Sequence, residues 1–119
     1  MSTDEPFDIE WIQFTFERVI KAGWNPKGDL LWGYFFLDTD VNYLERLGRR
    51  LESLSYRVVD IFELEEGESG RASGKFMLHV EKVEIHTEAT LRKRNVELAR
   101  LAAEFEVQAY DGWDVGPVE

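Results

Sequence analysis

Leu30-Leu31-Trp32-Gly33-Tyr34-Phe35-Phe36-Leu37 is a run of eight residues with no charge and four aromatic rings. It is short and aromatic enough to be a strand rather than a helix. Being apolar at both parities, it reads as a central strand buried on both faces. Side chains alternate along a strand, so Leu31, Gly33, Phe35 and Leu37 point one way and Leu30, Trp32, Tyr34 and Phe36 the other. Each set needs a cover, and the flanking segments must supply it.

Upstream, Asp8 can cap a helix from about Ile9 to Ala22, which Gly23 ends in a left-handed conformation. Ile9, Trp11, Ile12, Phe14, Phe16, Val19 and Ile20 spread around too much of the helix for one stripe. This predicts a lid over the sheet face that carries Trp32, Tyr34 and Phe36. A turn from Trp24 to Asp29, with Pro26 and Gly28, joins helix to strand.

Downstream, Asp38, Thr39 and Asp40 are helix-start residues, and Val41, Leu44, Leu47, Leu51 and Leu54 recur at helical spacing to about Ser55. Gly48 costs this helix about 1 kcal/mol relative to alanine, which points to close packing. Tyr56 to Leu64 and Lys75 to Val83 read as strands, the latter with Phe76, Leu78 and Val80 on one face. Glu65 to Gly74, with three glycines, is expected to be a mobile hairpin tip. A helix from about Leu91 to Phe105, capped by Thr87 with Glu88 at the positive end of its dipole, precedes a strand from Val107 to Trp113.

The order is helix, strand, helix, strand, strand, helix, strand. Without its first helix this is a split βαβ repeat. It predicts an α+β, ferredoxin-like βαββαβ sandwich with an antiparallel sheet and an additional N-terminal helix. A chain of 119 residues is expected to be one domain, with its core from about 30 to 113.

The chain lacks cysteine, which removes disulfides and thiolate chemistry. Met1 to Pro6 have no basic or apolar leader character, and nowhere do about 18 apolar residues run together, so a cytoplasmic protein is expected. Its 14 basic and 24 acidic residues give a net charge of −10. That field disfavours nucleic acid and anionic membrane and favours a basic protein partner, although solubility alone also accounts for it. Asp60, Glu63, Glu65, Glu66 and Glu68 concentrate the charge on one hairpin arm, as a partner-binding patch or as an edge guarded against aggregation.

His79 and His86, near Glu81, Glu84 and Glu88, match no metal-ligand spacing. No nucleophile elbow, phosphate-cradling glycine loop or paired catalytic carboxylates occur, so neither catalytic residue, metal nor cofactor is predicted, and the chain reads as a non-enzyme. The strand Gly74 to Val80 lacks the glycine-aromatic alternation of RNA-recognition modules. Arg46, Arg49 and Arg50, and Arg92, Lys93, Arg94 and Arg100, read as solvated helix faces.

Leu101-Ala102-Ala103-Glu104-Phe105-Glu106-Val107, followed by Tyr110-Asp111-Gly112-Trp113, resembles the C-terminal signature of the regulator of ribonuclease E activity B (RraB) family. The rest of the chain is similar in layout. Asp114 stands where the signature continues with glycine, and Gln108 and Ala109 lengthen the strand. The resemblance implies a ferredoxin-like fold with an extra N-terminal helix. It also implies a non-catalytic protein that binds ribonuclease E, or another basic protein, and lowers RNA degradation. Tyr110, Asp111, Gly112 and Trp113 are then candidate partner-binding residues with the five acids, or an anchor of the chain end on the sheet. A ferredoxin-like small-ligand or RNA-binding module is the alternative.

Overall fold

A computed structural model describes residues 9–67 and 70–118. The capping role expected of Asp8 and the acid Glu68 both lie outside them. Among the described residues three helices and four strands follow one another as α1 (Ile9–Lys21), β1 (Leu30–Asp38), α2 (Val41–Ser53), β2 (Arg57–Glu66), β3 (Arg71–Glu84), α3 (Glu88–Glu104) and β4 (Ala109–Gly116). The architecture is mixed α+β around one four-stranded sheet in the order β2-β3-β1-β4, with every neighbouring pair antiparallel.

Local chemistry sets the element ends. Gly23, at φ 85°, stops α1, its amide bonding back to Ile20 and that of Trp24 to Val19. Asp40 caps α2 by accepting from the Asn42 amide at 2.9 Å. Thr87 caps α3 as expected and completes a reciprocal box with Thr90: each hydroxyl accepts from the other residue's amide. The hairpin arms run further than the sequence suggests, since Glu65 pairs with Ala72 and Glu66 with Arg71. A register shift between Glu63 and Glu65 accommodates the irregularity, so Ser73 and Gly74 lie within β3 rather than in a tip.

The lid is where the structure departs from the sequence reading. Trp32, Tyr34 and Phe36 are fully buried, together with Leu78 and Val80 of β3, beneath Leu44, Leu47 and Leu51 of α2 and Leu91 and Leu98 of α3. α1 lies beside α3 and against β4, with Ile12 and Val19 in this same core and the Phe16 ring 6.0 Å from that of Trp32. Only this narrow stripe of α1 is buried, which suits lateral packing rather than covering a sheet. All three helices thus contribute to one face. Leu31, Phe35 and Leu37 stand on the other face, half-buried and outside the core cluster. On that face Phe35 stacks on His79 at 4.4 Å.

Gly48 sits where α2 meets the sheet. A Cβ there would lie 3.5 Å from Val58 and 3.7 Å from Leu78, ordinary contact distances, so the packing does not itself demand glycine.

Candidate functional site

The two groups of residues that the sequence singles out occupy opposite edges of the sheet. Asp60, Glu63, Glu65 and Glu66 are exposed on β2, and Glu63 accepts from the Gly74 amide at 3.0 Å. Tyr110 to Trp113 lie on β4. β3 and β1 intervene, a separation of about 14 Å at ordinary strand spacing, so the structure does not join them into one site.

Within the β4 group the side chains have separate tasks. Tyr110 faces the core, its ring 5.1 Å from Phe36 and its hydroxyl bonded to the buried Asn95, and burial pushes its phenol well above the usual value. Trp113 donates from its indole nitrogen to the Thr15 hydroxyl at 3.0 Å, pinning α1 to the sheet. Gly112, at φ 109°, occupies a bulge opposite Phe35, a conformation that favours glycine. Asp111 is exposed. Asp114, at the position where the signature has glycine, reaches over Gly33. A Cβ at Gly33 would collide with the Asp114 carboxylate and stand 2.9 Å from His79 Nε2.

Two arrangements escaped the sequence reading. The first is a groove of about 390 Å³ between α1 and β4, walled by Trp11, Phe14 and Arg18 on one side and by Trp113 and Val115 on the other. Trp11 and Phe14 are 56% and 46% exposed and stack at 5.7 Å, with Arg18 5.9 Å from the Phe14 centroid. Their signal in the sequence is the surplus of apolar residues around α1, which fits burial equally well.

The second is a polar cluster beneath α3. Glu84 accepts from the Tyr34 hydroxyl at 2.8 Å, lies 2.9 Å from His86 Nε2 and is paired with Arg94, which also holds Glu97. His86 is closed on its other side by the Thr90 hydroxyl at 3.0 Å. Burial alone would raise the Glu84 carboxyl, but hydrogen bonds from His86, Arg94 and Tyr34 outweigh it and hold the group at about 2. Burial and the adjoining Glu84 carboxylate push the Tyr34 phenol far above its usual range. This network occupies the polar end of the core, and no buried side-chain nitrogen or oxygen among the described residues is left without a partner. The histidines are therefore apart: His86 is in this cluster and His79 is on the open face. Among the described residues no three His, Cys, Asp or Glu side chains converge as metal ligands, and no helix is long and apolar enough to cross a membrane.

The family model for regulator of ribonuclease activity B matches residues 11–115, from α1 through β4. The chain belongs to this family. Membership in the regulator of ribonuclease activity B family supports a regulatory role toward ribonuclease activity in general. The family is regulatory and non-catalytic, and its members bind ribonuclease. No curated protein matches the chain.

Proposed function

We propose that this chain is a single-domain, cytoplasmic, non-catalytic inhibitor that lowers RNA degradation. In this reading it holds a basic segment of ribonuclease E, or of a related protein, along the acidic outer edge of β2. One observation carries the proposal: Asp60, Glu63, Glu65 and Glu66 are all exposed on a strand whose outer side pairs with no other strand among the described residues. Such an edge offers carboxylates for guanidinium and ammonium groups, and the field of a −10 chain steers a cationic segment toward it. Tyr110 and Trp113 are assigned to anchoring α3 and α1 rather than to this basic segment, because their polar atoms are engaged within the fold. The same reading takes the fold as ferredoxin-like. The order β2-β3-β1-β4 supports it, with α2 joining β1 to β2 and α3 joining β3 to β4.

Titration calorimetry against ribonuclease E tests the assignment. The chain should bind with an affinity that falls as salt rises. Replacing Asp60→Lys and Glu65→Lys together should weaken binding about tenfold or more while leaving the unfolding temperature near its original value. Full affinity in the folded double variant would remove the β2 edge from the contact.

A further inference from the structure

The edge of the sheet opposite the acids carries a different surface. β4 is the terminal strand, and past its bulge the stretch Gly112 to Gly116 runs in unbroken antiparallel register with Phe35 to Leu31. Its outer side pairs with no strand among the described residues. An edge of this kind presents a row of peptide N–H and C=O groups that an added strand can satisfy. α1 runs alongside, and the groove of about 390 Å³ lies between the two. Trp113 and Val115 are in register with Tyr34 and Trp32, so they line the helix side of β4, facing Trp11 and Phe14.

The charge of the groove opposes that of the molecule. Arg18 and Lys21 line it against a single carboxylate, Asp114, in a chain of net charge −10. Neither cation forms an ion pair among the described residues; Arg18 rests on the Phe14 ring instead.

We propose that the outer edge of β4 accepts an extended segment of a partner protein as a fifth strand. An aliphatic or aromatic side chain of that segment lies between Trp11, Phe14 and Trp113, and a neighbouring Asp or Glu lies at Arg18 or Lys21. The strand edge selects a polypeptide, because main-chain pairing needs alternating donors and acceptors at strand spacing. The two cations select acidic neighbours for the apolar anchor. This surface is separate from the β2 edge, so the chain can hold a basic and an acidic segment together.

A display library of random ten-residue peptides, selected against the full chain, tests this. The enriched peptides should alternate apolar residues with Asp or Glu. A synthetic representative should slow amide hydrogen exchange in Gly112 to Gly116 and change tryptophan fluorescence. Arg18→Glu with Lys21→Glu should weaken that peptide about tenfold, whereas Asp60→Lys with Glu65→Lys should leave its affinity within about twofold. Absence of enrichment, or protection on β2 in place of β4, overturns the proposal. So does oligouridine producing the same exchange protection, which makes the occupant RNA. A concentration-dependent dimer protected at β4 overturns it in favour of a second copy of the chain.

Discussion

The two faces of β1 carry similar numbers of apolar side chains and meet opposite fates. Trp32, Tyr34 and Phe36 are sealed beneath α2 and α3, whereas Leu31, Phe35 and Leu37 share with His79, Met77 and Glu81 a half-buried face that no helix among the described residues covers. Hydrophobicity along the strand therefore does not decide which side is core. What decides it is where the complementary helix stripes land: Leu44, Leu47 and Leu51 on α2, and Leu91 and Leu98 on α3. The polar ends of the two faces differ as well. On the covered side Tyr34 and Trp32 each find an acceptor on Glu84. On the open side His79 and Asp114 close over Gly33 at the surface.

The sharpest way to break this contrast is to truncate one ring on the covered side. Trp32→Ala removes a fully buried indole and should cost about 3–5 kcal/mol by urea unfolding; a loss below about 1 kcal/mol would mean that the helices do not seal this face. Next in size is the cluster at the polar end. Glu84→Gln takes the charge from beside Arg94 and should cost about 2 kcal/mol at pH 7. The wild-type pH profile has a defined sign. The Glu84 carboxyl is held at about 2 against its ordinary 4.5, so its contribution is fully present above about pH 4.5 and disappears as pH falls toward 2. The Gln variant should therefore lose less stability across that window, and parallel profiles would assign the acid sensitivity to other carboxylates. The smallest effect belongs to the open face. Phe35→Ala gives up a half-buried ring stacked on His79 and should cost about 1 kcal/mol. A loss as large as that of Trp32→Ala would reveal a covered second face and erase the distinction.

Much of the fold was legible because its signals are local. The strand parity of Leu30 to Leu37, the Thr87 cap, the Gly23 stop and the α2 stripe all depend on residues a few positions apart, and each appears in the structure. The placement of α1 was not legible. Its extra apolar residues fit burial on two sides as well as a narrow stripe with Ile9, Trp11, Phe14 and Ile20 left outward, and only the long-range meeting of Thr15 with Trp113 separates these. The same limit governed the site. The acids of β2 and the run Tyr110 to Trp113 were each visible as segments, but strand order sets them at opposite edges, and order is a property of pairing. The Glu84 cluster was hidden for a related reason. Glu84, His86 and Arg94 look like scattered charges until the turn before α3 folds them around Tyr34.

The hydrogen bond between Thr15 and Trp113 spans 98 positions of sequence. α1 leaves the ribosome well before the strand that fixes it. Until β4 emerges and pairs with β1, the stripe of Ile12, Phe16 and Val19 has only part of its seat, and closing so long a loop costs chain entropy before the contact returns any of it. The nascent protein carries its most apolar helix only partly sheltered until that strand emerges, so α1 is the segment on which a holding chaperone would act.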